Sequence, residues 1–324
     1  MGHEPDRLKK PNGVYADRAN PSALRAPAEP TEAAPAGAIQ TDELVAFSLP
    51  HRNARGRIVR LGPTLATILN AHDYPPPLAR LLSDALVVTA LLGAMLRADE
   101  GQLTLQVQAK HAVVDLIVCD WRGGLLRGYL RHDAERLARL GKNPSIKALL
   151  GQGYLAVTLD QTASAERYQG IVPLEGGSLA EIVERYFAQS EQLPTLIRTA
   201  SSDGTAGGLI VQHLARRELD GERLSVADEH PDWGHVRALA STVKSEELTD
   251  AALPLDALLW RLFNEDEVRA LPPIAIGNAC RCSPEHFANV LSQFPEDERA
   301  SMRGEDGLIG VDCQFCATSY RVAV

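Results

Sequence analysis

Cysteine, methionine and the aromatic residues are all scarce in this chain. Its 324 residues include five cysteines, three methionines and three tryptophans, and aromatics make up 5%. Five thiols cannot form the disulfide framework that holds small secreted domains together. No apolar run reaches the length of a bilayer. The longest, ALVVTALLGAML (85–96), lies between Asp84 and Arg97 and reads as a buried helix. The N-terminal MGHEPDRLKKPNG has no apolar core of the secretory type, so no signal peptide is expected. Positive charge is also in deficit: 33 Lys and Arg stand against 42 Asp and Glu, a net charge of −9 with a pI near 5.5. That balance disfavours nucleic acid or an anionic membrane as the main partner. The expected compartment is the cytoplasm, where grouped cysteines signify metal or redox chemistry.

Catalytic signatures are missing as well. No G-x-x-x-x-G-K phosphate loop is present; Gly176-Gly177 and Gly207-Gly208 read as turns. No Ser–His–Asp set or pair of carboxylates stands out from spacing, and no enzymatic activity is expected. The S-E-Q at 190–192 reads as a helix end before Pro194.

What remains is an ordinary globular composition, 45% hydrophobic and 23% charged, long enough for two or three domains. Residues 1–41 are rich in Ala, Pro and Glu without any period and read as a disordered extension. From 42 to 225 an α+β core domain is expected, with a mostly antiparallel sheet and one buried helix. ELVAFSLP (43–50) and RGRIVRL (55–61) suit strands, and 76–97 suits a helix that is apolar on nearly every side. LTLQVQ (103–108) alternates with period two, and VVDLIVCDW (113–121) with LLRGYL (125–130) forms a hairpin beside it. YLAVTLD (154–160) and RYQGIVPL (167–174) make a second pair, and GGLIVQHL (207–214) a further strand. Ser178 and Glu181 form an S-x-x-E capping box before Leu179, Ile182, Val183, Tyr186 and Phe187.

Residues 226–277 read as a helical linker. Val236, Leu239 and Val243 share a face of a helix over 234–248; Leu255, Leu258, Leu259, Leu262 and Phe263 do so over 254–266, with Trp260 on the same apolar side. Two amphipathic helices cannot bury these faces against each other alone. They must lie on the core, on the C-terminal region or on a partner.

Four of the five cysteines fall in CRCSPEHFANVLSQFPEDERASMRGEDGLIGVDCQFC (280–316). Cys280 and Cys282 form a C-x-C, Cys313 and Cys316 a C-x-x-C. Two chelating turns joined by a spacer are what one four-thiolate Zn²⁺ ion requires, with no position left for a catalytic water. An iron–sulfur cluster is the less suited alternative. Residues 278–324 make a region too small to rest on its own core, so metal loss should unfold it. Spacing alone favours a static zinc ribbon and leaves a redox switch open. His286 reads as a surface histidine, and Cys119, in its alternating strand, as a core residue. In PEHFANVL, Phe287, Val290 and Leu291 are expected to face inward. Four arginines against seven carboxylates in 278–324 argue against a nucleic-acid-binding ribbon. No thioredoxin-like pattern accompanies the C-x-x-C.

The order of several strings resembles the heat shock protein 33 family, the redox-regulated holdase chaperones of the bacterial cytosol. They are RGRIVRL, ILNAHDYPPPLARLLSDAL, GQLTLQVQ, LRGY, RYQGIV, ERYFAQSEQLPT, AGGLIVQ, LLWRLF, the C-x-C followed by serine, and DCQFCATSYR. The resemblance runs from about Glu43 to Tyr320. It implies that Cys280, Cys282, Cys313 and Cys316 bind zinc in an inactive reduced state. On oxidation Cys280 would pair with Cys282 and Cys313 with Cys316, the linker would lose its footing, and apolar surface would be exposed to unfolding client proteins without ATP. Homodimerisation on oxidation is implied too. Departures from the family pattern are Ala279 before the first ligand, Ala109-Lys110-His111-Ala112 in place of a glycine-rich turn, and the N-terminal extension.

Overall fold

A computed structural model describes residues 22–23, 42–96, 101–161, 167–214 and 230–324. The first half of the chain runs β1 (Ser22–Ala23), β2 (Glu43–Leu49), β3 (Ala54–Leu61), α1 (Pro63–Asn70), α2 (Pro76–Gly93), β4 (Gly101–Lys110), β5 (Val114–Arg122), β6 (Leu125–His132), α3 (Ala134–Ala138) and α4 (Ile146–Leu150). Then follow β7 (Gln152–Gln161), β8 (Arg167–Pro173), α5 (Leu179–Tyr186), β9 (Thr195–Ser202), β10 (Thr205–His213), and three helices in the segment expected to be a linker, α6 (Pro231–Ala240), α7 (Ser245–Thr249) and α8 (Leu255–Phe263). The C-terminal part holds β11 (Arg269–Ala270), β12 (Ile274–Ala275), β13 (Gly277–Asn278), α9 (Pro284–Leu291), α10 (Glu296–Met302), β14 (Ile309–Asp312) and β15 (Ser319–Val322).

The expected α+β class holds, but the strands divide into two sheets. One has the order β1-β11-β2-β3-β10-β9 with β12 also on β2; the other has β13-β6-β5-β4-β7-β8. Helix α2 lies between them, and Leu78, Leu82, Leu86 and Leu91 are fully buried in one cluster with residues of both sheets. By length and composition α2 could cross a bilayer, yet 72% of it is buried inside the protein, as a core helix should be.

The two sheets differ because their outer faces differ. In β4, Leu103, Leu105, Val107 and Ala109 point to the core while alternate residues are more exposed. In β10 every residue is buried. Ala206 and Ile210 face α2; Leu209 and Val211 face the other way, into a second cluster with α6, α7 and α8. A strand covered on both faces loses its alternation. Gly207-Gly208 is therefore not a turn: both glycines lie within β10, where neighbours approach too closely for a side chain.

Strand β9 has no counterpart in the sequence reading. Its signal was the Asp203-Gly204 dipeptide, both residues at positive φ (49° and 77°), the hairpin turn that joins β9 to β10. The capping box at Ser178 is only half formed. Ser178 Oγ accepts the Glu181 N–H, while the Glu181 carboxylate accepts from Gly177 instead. The helix expected over 234–248 breaks into α6 and α7, and the break lets Leu248 turn onto β10. The helix expected over 254–266 stops at Phe263. In the Ala109–Ala112 turn, which departs from the glycine-rich pattern of the family this chain resembles, His111 supplies a left-handed residue (φ 56°). The 1–41 extension lies outside the described residues except for Ser22–Ala23, which pair with Arg269–Ala270. The boundary at 225/226 also lies outside them.

One half-buried carboxyl makes the core sensitive to pH. Burial pushes Asp84 of α2 up to about 6, against the opposing pull of Thr199 and Arg80. Its unfolded value is about 3.9. The stability it contributes is present below about pH 4 and is lost as pH rises through 6. At pH 7.5 the ionised group costs about 3 kcal/mol, two pKa units' worth. Asp84→Asn should therefore raise the thermal midpoint by several degrees at pH 7.5 and by roughly a third as much at pH 4.5. Calorimetry at the two pH values checks this; equal shifts would disprove it.

Candidate metal and redox centre

The chain leaves the first sheet at β12, adds β13 in parallel to β6 of the second, and then enters the cysteine region. Cys280 and Cys282 lie in the extended stretch before α9. Ser283 caps that helix, its hydroxyl accepting the His286 N–H at 3.1 Å. Cys313 and Cys316 occupy the tip between β14 and β15. The tip is closed by Cys313 N–H to Thr318 O (3.0 Å) and Ala317 N–H to Cys313 O (2.8 Å), with Ala317 left-handed at φ 55°.

These two turns bring all four sulfurs within 4.8 Å of one another. Cys280 Sγ is 3.5 Å from Cys313 Sγ, and Cys282 Sγ is 3.4 Å from Cys316 Sγ. Sulfurs on a tetrahedral zinc, each about 2.3 Å from the ion, stand about 3.8 Å apart. The donor set therefore fits one such ion, which would supply Lewis-acid charge to hold four thiolates together.

Without that charge the thiols cannot all ionise. Burial, with the neighbouring sulfurs, pushes Cys282 up to about 12, although the Tyr320 hydroxyl, 3.2 Å away, favours its thiolate. Burial also raises Cys313, against the N–H groups of Cys316 and Phe315. Burial acts upward on Cys316 too, but Thr318 and the Cys282 and Cys280 thiols bring it down to about 6. At neutral pH Cys316 is a thiolate, and the raised thiols must release protons as a cation enters.

The residues between the ligands tie this unit to the second sheet, which sequence reasoning missed. Arg281, inside the C-x-C, donates to Gln102 Oε1 (2.6 Å) and Asp120 Oδ2 (3.0 Å). Asp120 also accepts from Arg127 (2.6 and 2.8 Å) and from the Thr104 hydroxyl (2.7 Å). Inside the C-x-x-C, Phe315 lies under the Arg127 guanidinium at 3.9 Å and edge-on to Tyr129. The Gln314 carbonyl lies 2.8 Å from His72 Nε2. A cleft of about 540 Å³ remains between the unit and the sheet. The unit meets the sheet through a few polar and aromatic contacts beside this cleft. The sequence signal was faint: the spacer positions are large side chains, two polar and one aromatic.

The expected linker face lies elsewhere. Leu255, Leu258, Leu259, Leu262 and Phe263 are buried against Val45, Phe47, Leu49, Ile58, Leu209 and Val211 of the first sheet. Trp260 does not join them: it is half-buried and outside that cluster. Buried Arg60 of β3 clamps the linker backbone, donating to the carbonyls of Glu247 (3.1 Å), Leu248 (3.1 Å) and Leu253 (2.6 Å). Arg52 binds Asp232 (3.2 Å) and Asp266 (2.7 Å). His286 is exposed and Cys119 fully buried, as expected; Val290 is 40% exposed, so Phe287, Ala288 and Leu291 of its helix pack inward and Val290 does not.

A family model described as Hsp33 protein matches residues 42–323. A 33 kDa chaperonin of Caulobacter vibrioides is 39% identical over 303 residues, 90% of this chain and 98% of its own. One from Escherichia coli is 36% identical over 285 residues, 87% of this chain and 92% of its own. The crystal structure of a 33 kDa chaperonin (heat shock protein 33 homolog) from Thermotoga maritima aligns with a TM-score of 0.68 at 26% identity, covering 87% of this chain and 94% of that one. With its four sulfurs converging at the end of a two-sheet core, this chain belongs to the Hsp33 family.

Proposed function

We propose that the protein is a redox-regulated, ATP-independent holdase chaperone of the cytoplasm, and not an enzyme. One observation carries the reading: among the described residues, the apolar face of the first sheet turned away from α2 is covered by α6, α7 and α8 with Val268 and Ala270 beside them, and the segment after them ends in the cysteine cluster. In the reduced form Cys280, Cys282, Cys313 and Cys316 hold one Zn²⁺ and the linker stays docked. Oxidation by peroxide joins Cys280 to Cys282 and Cys313 to Cys316. Each disulfide takes two electrons from its two thiolates, and one H₂O₂ takes up those electrons with two protons from solvent to become two waters. With the thiolate donors gone, zinc is no longer held. The reading divides the chain at 42–225 for the core, 226–277 for the linker and 278–324 for the sensor.

Unfolding of the sensor removes β13 and, with it, the anchor behind β11 and β12. The apolar linker residues Leu255, Leu258, Leu259, Leu262 and Phe263, with Trp260 beside them, and the sheet beneath them then become the surface for unfolding client proteins. Such a surface also suits a second copy of the chain, hence a homodimer when oxidised. Zinc content and suppression of client aggregation, measured in one sample before and after peroxide with mild heat, test the proposal. Zinc loss should accompany a gain in holding activity. Retained zinc, or equal activity in both states, would instead identify a static zinc module.

A further inference from the structure

Strand β10 ends on His213, and the first linker helix opens on His230 and Asp232. His213 is only 2% exposed, yet neither of its ring nitrogens has a hydrogen-bond partner among the described residues. Leaving such a group unpaired is costly, and in a native structure it calls for a ligand or another explanation. The His230 ring is 4.9 Å away, and the Trp233 indole stacks on His213 at 6.2 Å. One ligand atom from each of His213, His230 and Asp232 lies within 4.8 Å of the other two. We propose that these three side chains form a second metal site, for a divalent transition ion of the zinc type, which pins the first linker helix to the end of β10.

The donor chemistry selects the ion class. Two imidazoles with one carboxylate suit zinc, cobalt or nickel and not magnesium or calcium. Asp232 Oδ1 is taken by Arg52 at 3.2 Å, while Oδ2 faces His230 Nδ1 at 3.8 Å. Nitrogen and oxygen ligands on a tetrahedral ion stand about 3.4 Å apart, so the His230–Asp232 pair would close by a few tenths of an ångström and His213, within 4.8 Å of both, by about an ångström. His230 Nδ1 now accepts the Asp232 N–H at 3.2 Å, a long capping bond that the ion would replace. Burial, and then the neighbouring His230, lower the pKa of His213 and keep its imidazole neutral, the form that binds metal. Three protein donors leave a fourth position for water. This site shares no residue with the cysteine cluster and sits on the opposite sheet from the sensor's dock. Its occupation would oppose undocking whatever the state of the thiols.

Cobalt(II) added to the full-length reduced protein separates the two sites, because only the cysteine cluster gives sulfur-to-metal charge-transfer absorption. The expected result is a second equivalent that adds d–d absorption without charge transfer. His230→Ala, a change at a partly exposed side chain, should weaken that equivalent at least about tenfold and leave the first unchanged. His213→Gln should do the same. In the wild-type protein the second equivalent should also slow proteolysis within residues 231–240. Saturation of the wild-type protein at one equivalent would overturn the site. So would a second equivalent bound equally well by both variants.

Discussion

Cys282→Ser should abolish tight metal binding and unfold residues 278–324 while the two-sheet core stays folded. Little else holds this region. Its own core has three buried side chains, Leu291, Ile309 and Val322, with Phe287, Val311 and Tyr320 partly covered. Three such side chains contribute roughly 5–9 kcal/mol by burial. A structural zinc contributes about 10–16 kcal/mol at neutral pH. The metal term is therefore the larger, and Cys282 is central to it, with Sγ against both Cys316 and Tyr320. The contacts to the second sheet cannot replace it, because Arg281, Gln314 and Phe315 reach their partners only while the two turns are held together. Amide hydrogen exchange in the metal-treated variant should show loss of protection throughout 278–324 and retained protection in α2 and β10. Protection in both regions would mean that the four sulfurs do not support the fold.

Much of this arrangement was legible in the residues, and what was not has physical causes. The chelating turns could be read because four thiols at that spacing leave few alternatives. Alternation marked the outer-facing second sheet, since one-sided burial imprints its period on the sequence, and α2 stood out as a long segment apolar on nearly every side. The division into two sheets could not be read. It depends on which face each strand turns towards α2, and a strand buried on both faces, such as β10, carries no alternation to show it. The break between α6 and α7 was hidden for a related reason. It is set by the approach of Leu248 to β10, a tertiary contact, and not by a helix-breaking residue. Even the spacers of the cysteine motifs were silent. Arg281 and Phe315 acquire meaning only from Asp120 and Arg127, more than 150 positions away.

The second large effect is expected at Gly207, which the sequence presents as half of a glycine turn. It lies inside β10, paired with Arg60 and Ala200, on the face that the linker covers. A Cβ there would fall 2.2 Å from the Leu248 carbonyl oxygen, backbone that cannot swing aside as a side chain can. Next to it, Gly208 faces the other way, where a Cβ would meet Val87 of α2. Alanine at 207 suits a strand and should leave the core folded. The strain falls on the linker, because displacing Leu248 also loosens the three carbonyls that Arg60 holds. Overpacking together with weakened hydrogen bonds to a charged group costs about 3 kcal/mol or more. At that cost the undocked population rises roughly a hundredfold. Reduced, metal-loaded Gly207→Ala should therefore suppress client aggregation without oxidant, bind a hydrophobic dye, and be cut within 231–263. Gly208→Ala should instead lower the thermal midpoint of the core and leave the linker docked. If reduced Gly207→Ala kept a protease-resistant linker and showed no holding activity, the covered face of the first sheet would not be the client surface. A variant that held clients with its zinc still bound would show that undocking, and not oxidation itself, creates the binding surface.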